Sequence, residues 1–137
     1  PVHIPRILKL TQAHPELTVV VDHGAKPVID ALAMDAWAHS LTQLARETHP
    51  DRVVCKMSGL WTEAPKGQPV EVVRPWCEAL LAIWGPERLL WGSDWPVLEM
   101  AGAYGAWRTL SLEVLSPLSP QQKNAVLGDN ARRIYRL

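Results

Sequence analysis

Leu89-Leu90-Trp91-Gly92-Ser93-Asp94-Trp95-Pro96 runs from a short apolar stretch through a glycine to a carboxylate and a proline. The apolar residues read as a strand buried on both faces, and Gly92 and Pro96 punctuate the chain on either side of Asp94. Glycine lets a ligand or a second backbone come close, and proline cannot donate to a sheet ladder, so the strand is finished by Pro96. An isolated Ser-Asp-x-Pro is more often a turn in which the aspartate bonds its own backbone. The rest of the chain favours a working carboxylate instead.

Upstream, Thr18-Val19-Val20-Val21 is a β-branched run that leads into Asp22-His23-Gly24-Ala25-Lys26-Pro27, a strand followed by a loop. Val53-Val54-Cys55-Lys56-Met57-Ser58-Gly59 reads as a second strand and residues 88–94 as a third. Between them the apolar positions switch to helical spacing. A first helix is predicted over 4–14. A long amphipathic helix starts near Ile29, carried by Leu32, Ala33, Ala36, Trp37, Leu41, Leu44 and Ala45, and ends at His49-Pro50. Residues 61–69 form a polar, proline-bearing loop. A helix on Val73, Trp76, Cys77, Leu80, Leu81 and Trp84 follows and stops at Gly85-Pro86; another is marked by Tyr104, Trp107, Leu110, Val114 and Leu115. Ser119-Pro120 supplies an N-cap and first-turn pair for a closing helical segment through Leu137, with Asn130 as a cap of the last helix.

Strands alternating with helices of this length imply right-handed crossovers and a parallel sheet, an α/β class. All three strands then point the same way. His23 with Lys26, Lys56 with Ser58, and Ser93 with Asp94 fall at their C-terminal ends, the edge where parallel α/β proteins bind ligands. Adjacent strands lie about 4.8 Å apart, so the first and third, if ordered as in sequence, are on the order of 10 Å apart, and His23 and Asp94 would grip a small molecule or a metal between them. Strand alternation puts His23 on a face with Val19 and Val21, Lys56 with Val54 and Ser58, and Asp94 with Leu90 and Gly92. Asp22, next to His23, then points to the helix side.

Fourteen basic and fourteen acidic residues among 137 leave no net field to draw nucleic acid or an anionic membrane. No apolar run approaches the roughly 18 residues of a membrane span. The expected partner is a small molecule. Cys55 and Cys77 fall inside a strand and a helix without a second pair, so they read as buried thiols of a reducing cytoplasm rather than as a disulfide or zinc knuckle. The chain opens at Pro1-Val2 with no charged-then-apolar leader and runs at once into a helix, as though it started in the middle of a domain.

Four motifs, in order, carry a resemblance: Val21-Asp22-His23-Gly24-Ala25-Lys26-Pro27, Lys56-Met57-Ser58-Gly59-Leu60, Gly92-Ser93-Asp94-Trp95-Pro96-Val97 and Asn130-Ala131-Arg132-Arg133-Ile134-Tyr135. They resemble the amidohydrolase-related family of the amidohydrolase superfamily, in particular its sugar lactonases of the L-fuconolactonase and L-rhamnonolactonase type. The resemblance covers nearly the whole chain. It implies the C-terminal half of one (β/α)₈ TIM-barrel domain over residues 1–137, with three parallel strands, six to eight, and flanking helices. It implies that His23 ends strand six and polarises a lactone carbonyl or binds a metal, and that Asp94 ends strand eight and activates the attacking water. Lys26 matches a position that is basic in relatives handling carboxylated substrates. A divalent metal such as zinc, held by His23 and Asp94, is one implied cofactor; a metal-independent reaction is the other, since relatives differ.

One element of the family pattern is missing. Its members carry a His-x-His pair on the first strand, and no His-x-His occurs here; His3, His14, His39 and His49 fall on helices or their ends. Three strands do not close a barrel, two copies give six, and strand one is left with an open apolar edge. The expectation is a portion of a domain that needs a further N-terminal half-barrel and is inactive alone.

The other candidate substrate contacts are Lys56, Ser58, Ser93, Trp61 and Trp95: the serines as hydrogen-bond partners, the tryptophans as apolar faces for a sugar ring. Trp37, Trp76, Trp84 and Trp107 sit on helical stripes and read as core. With no Gly-x-Ser-x-Gly elbow, a serine nucleophile is not indicated. Two alternatives stay open. One is a zinc-dependent non-oxidative decarboxylase of the same superfamily. The other, from a different class, is a small flavodoxin-like binding or signalling domain, although such a domain begins with a strand and has five.

Overall fold

The computed structural model describes residues 3–137; Pro1 and Val2, where the chain opens, lie outside the described residues. Three short strands, β1 (Val19–Val21), β2 (Val53–Met57) and β3 (Leu89–Trp91), form one parallel sheet in the order β1-β2-β3. Val20 pairs with Val54, and Lys56 with Leu90. Sequential order is what repeated right-handed crossovers in one direction produce, and a doubly wound sheet, with its reversal of order, does not look like this.

Helix α1 (Ile4–Ala13) precedes the sheet. Helix α2 (Ala31–Glu47) starts where the Asp30 carboxylate accepts the Leu32 N–H at 2.9 Å, and buries the stripe Trp37, Leu41, Leu44 and Ala45. Helix α3 (Arg74–Trp84) buries Trp76, Cys77, Leu80 and Trp84, and stops at Gly85, whose φ of 68° suits glycine. Helix α4 (Tyr104–Val114) buries Trp107, Leu110 and Val114. These stripes pack with Val21, Val53, Cys55, Met57 and Leu89 into one core. Val54 and Leu90 are equally buried but belong to the sheet's other face. Helices α2, α3 and α4 therefore pack on one face of the sheet, and Val54, Lys56, Ser58, Leu90 and Gly92 line the other, where Tyr135 comes within 5.8 Å of Lys56 Nζ. The four helical-stripe tryptophans are all buried, as expected. Both cysteines are free and buried, and burial pushes the Cys77 thiol up to about 12 and the Cys55 thiol upward too.

The N-terminal rim of the sheet is held by side chains that bond backbone. Arg88 donates to the carbonyls of Val53 (3.0 Å) and Ala45 (2.8 Å) and to Thr48 Oγ1 (3.2 Å), with its guanidinium 4.7 Å from the Trp84 ring. The closing segment begins with a capping box between Ser119 and Gln122 and runs through α5 (Pro120–Asn124), a π turn (Ala125–Asp129) and α6 (Asn130–Tyr135). Asn130 was expected to cap this helix. Instead its buried amide donates to the carbonyls of Pro86 (2.7 Å) and Leu89 (2.8 Å), tying α6 to the start of β3.

The strands are shorter at their C-terminal ends than predicted. β2 stops at Met57 and β3 at Trp91, so Ser58 and Asp94 belong to the loops beyond. His23 does not share a face with Val19 and Val21, because β1 has ended and the backbone has turned left-handed (φ 53°, ψ 43°). By strand alternation it is Asp22, not His23, that follows Val20, and its carboxylate meets Lys56 Nζ at 2.7 Å rather than any helix-side group. No helix among the described residues is long and apolar enough to cross a membrane.

Candidate active site

The turn after β1 holds four consecutive residues at positive φ: His23 (53°), Gly24 (56°), Ala25 (62°) and Lys26 (50°). Left-handed backbone costs a residue with a side chain roughly 1–2 kcal/mol, so the turn must be held from outside. Trp37 does this by donating its indole N–H to the Gly24 carbonyl at 2.7 Å. Leu60 and Leu80 close in on Gly24, where a Cβ would stand 3.2 Å from methyls of both. The turn throws the His23 ring sideways over the end of β2.

There Nδ1 lies 2.9 Å from Ser58 Oγ and 3.8 Å from Asp94 Oδ1. Asp94 arrives from β3 in the same way, at φ 62°, beyond a Gly92 carbonyl that accepts the Trp107 indole N–H at 2.9 Å. Its second oxygen, Oδ2, is 3.2 Å from Thr62 Oγ1. That hydroxyl is also 3.0 Å from the Gly59 carbonyl and, having one proton, serves one acceptor at a time. Two glycines make the convergence possible. A Cβ on Gly59 would stand 2.4 Å from His23 Nδ1, and one on Gly92 would stand 3.2 Å from Ser58 Cβ.

His23 and Asp94 thus meet across β2 more closely than strand spacing predicts, and no guest fits between Nδ1 and Oδ1. The pair is reached by solvent from one side, with the His23 side chain 27% and the Asp94 side chain 11% exposed. Ser58 and Asp94 approach the same ring nitrogen. A Ser-His-Asp relay needs one partner on each nitrogen, so Ser58 is not poised as a nucleophile.

The remaining predicted contacts are dispersed around this pair. Lys26 Nζ bonds Glu63 Oε1 at 2.5 Å, and the hydrogen bond and charge of Glu63 raise the lysine pKa. Lys56 lies one layer below the rim, between Asp22 and the Tyr135 ring 5.8 Å away; burial works to lower its pKa, but Asp22 and Tyr135 together raise it. Trp61 is buried, with its indole donating to the Gln68 carbonyl at 2.9 Å and its ring lying against Gly102. Ser93 Oγ accepts the Trp95 N–H at 3.1 Å, and Trp95 stands 66% exposed with its indole on Glu99. A cleft of about 450 Å³ lined by Trp61, Thr62, Lys66, Gln68 and Met100 opens on the Asp94 side. A shallower one of about 560 Å³ runs past Ala25, Lys26 and Trp37 on the His23 side. Neither is lined by His23 or Asp94.

Thr62, Glu63 and Gly59 were not picked out from the sequence. Thr62 and Glu63 act on residues 32 and 37 positions away, a distance over which spacing carries no signal. Gly59 had one, since a glycine right after a strand marks close approach of something.

A catalytic zinc takes three protein ligands plus water. Among the described residues no group of three or more His, Cys, Asp or Glu side chains converges. His23 and Asp94 offer two, and they do not make a metal centre by themselves.

The family profile described as amidohydrolase matches residues 1–137. L-fucono-1,5-lactonase of Burkholderia ambifaria is 40% identical over 141 residues, covering 100% of this chain and 48% of that protein. L-fucono-1,5-lactonase of Burkholderia multivorans is 33% identical, over 98% of this chain and 48% of that protein. A crystal structure of an amidohydrolase from Burkholderia multivorans with bound zinc superposes with a TM-score of 0.87 at 34% identity, covering 98% of this chain and 49% of that one. The chain spans about half the length of the relatives it matches. Its three parallel strands and flanking helices form part of a (β/α)₈ barrel, and the chain belongs to the amidohydrolase family.

Proposed function

We propose that this chain carries the His23 and Asp94 side of the active site of a lactonase that hydrolyses a sugar-derived lactone. The observation that supports this most is the convergence of an imidazole and a carboxylate, from strands separated by β2, at the C-terminal rim of a parallel sheet. Opening a lactone needs a base for water and a donor for the developing oxyanion. Asp94 takes the proton as the water oxygen attacks the carbonyl carbon. The His23 ring, on the exposed side of the pair, donates to the carbonyl oxygen. Collapse breaks the ring C–O bond, and the proton held by Asp94 passes to the leaving alkoxide, which leaves a hydroxy acid.

Lys26 and Trp95 stand at the mouth, Lys26 free to exchange Glu63 for a substrate carboxylate. With its proton on Asp94 Oδ2 rather than on the Gly59 carbonyl, Thr62 aims Oδ1. The substrate class follows from the lactonase relatives, and L-fucono-1,5-lactone is the first compound to try. The remaining barrel wall, and any metal ligands beyond these two, would come from a further half-barrel, so the 137 residues alone are inactive.

A pH-stat assay of the full-length protein against a panel of aldonolactones tests the reading. Turnover of at least one of them, absent from the isolated 137 residues, is the expected result. A full-length protein that opens no lactone, or an isolated chain that does, would overturn it.

A further inference from the structure

We infer that Ser58 sets the tautomer of His23, keeping the ring proton on Nε2, and is therefore a positioning residue of the site. This deepens the lactonase reading and rests on it for its catalytic consequence, though not for the tautomer itself.

Ser58 is 2% exposed, boxed between the His23 ring and the bare face of Gly92. Its hydroxyl has one proton to place, and the single hydrogen-bond partner it has among the described residues is His23 Nδ1, at 2.9 Å. If Nδ1 carried the ring proton, Ser58 would accept, and its own proton would have no partner among the described residues. If Nδ1 is bare, Ser58 donates and every proton is placed. Buried donors are left unpaired more rarely than buried acceptors, so the second arrangement is favoured. Asp94 Oδ1 pulls the other way, since a carboxylate prefers to face an N–H. At 3.8 Å it is beyond hydrogen-bond distance. The ring lies against the bare face of Gly59, where a Cβ would stand 2.4 Å from Nδ1.

With Nδ1 an acceptor, the neutral ring presents Nε2–H to the solvent side, where it has no protein partner among the described residues. That is a donor for a carbonyl oxygen. The same tautomer cannot ligate a metal through Nε2, which would need the lone pair there. Metal-free carbonyl polarisation and metal ligation by this nitrogen thus require opposite states of one serine hydroxyl.

The test is ¹⁵N NMR of the full-length protein labelled at histidine, with the His23 signals identified by their loss in His23→Asn. Nitrogen shifts separate the two neutral tautomers directly. The expected wild-type spectrum shows protonated Nε2 and bare Nδ1. Ser58→Ala should shift His23 toward the Nδ1–H form that faces Asp94, and lower kcat by roughly 10- to 100-fold with KM little changed. A wild-type spectrum with protonated Nδ1, or an unchanged tautomer in Ser58→Ala, would overturn the inference. Because a wild-type spectrum with protonated Nδ1 is by itself decisive against the inference, a variant that does not fold leaves it falsifiable. A protonated Nε2 in a protein that opens no lactone would sink the lactonase reading while sparing the tautomer assignment.

Discussion

The two rims of the sheet are built on opposite plans. At the N-terminal rim, polar side chains serve the backbone: Arg88 and Asn130 between them occupy the carbonyls of Val53, Ala45, Pro86 and Leu89, and Arg133 adds that of Glu87. At the C-terminal rim the backbone serves the side chains. His23 and Asp94 sit in left-handed conformations that cost energy, and the tryptophans of α2 and α4 brace the glycines beside them. One rim lowers the free energy of the fold, and the other uses some of that surplus to hold reactive groups where an unconstrained chain would not put them.

Substitutions at the two rims therefore separate activity from stability. The largest effect belongs to Asp94→Asn, which keeps the shape and removes the base: lactone turnover by the full-length protein should fall by about 10²–10⁴-fold with the melting temperature nearly unchanged. Gly59→Ala comes next, because its methyl would stand 2.4 Å from His23 Nδ1. Displacing the ring by about 1 Å should cost kcat/KM on the order of 10²-fold, and alanine at φ 60° adds roughly 1–2 kcal/mol of instability. Asn130→Ala tests the other rim. Two carbonyls lose their buried donor, so chemical denaturation should show a loss of roughly 1–3 kcal/mol while kcat stays at the wild-type value. A large drop in kcat for Asn130→Ala with no loss of stability would break the comparison.

Smaller effects sharpen it. Lys26→Met removes an ion pair whose lysine is 62% exposed, so stability should change by no more than about 1 kcal/mol, with KM rising for carboxylated lactones alone. Cys55 and Cys77, buried and shifted toward the thiol form, should resist a thiol-directed reagent at pH 8 until the protein is unfolded, as a colorimetric thiol count would show.

The same contrast explains what was legible in the sequence. The strand bodies and helical stripes follow periodicity, and residues such as Val53, Cys55, Leu41 and Leu80 fall where their spacing puts them. The rims do not follow periodicity. Alternation extended two residues past β1 and three past β3 enters turns where it no longer holds for His23 and Asp94, whereas Asp22 does alternate with Val20, on the face away from the helical core rather than the helix side. Proximity of His23 to Asp94 came from topology, which survives a wrong account of the turn. Their separation, and the parts of Thr62 and Ser58 in holding them, needed the backbone dihedrals, which depend on Trp37 and Trp107 packed from distant helices. Asn130 was misread for the same reason: its partners lie 41 and 44 residues upstream, while a cap is a local device.

The most direct measurement is a crystal structure of the full-length protein with an aldonic acid product or a lactam mimic of the lactone bound. The lactam carbonyl oxygen, or one product carboxylate oxygen, should lie within about 3.2 Å of His23 Nε2, with a water on an Asp94 oxygen facing the carbonyl carbon, on the exposed side of the pair. A ligand lodged solely in the Trp61–Gln68 cleft, with His23 and Asp94 in contact only with each other, would contradict the account.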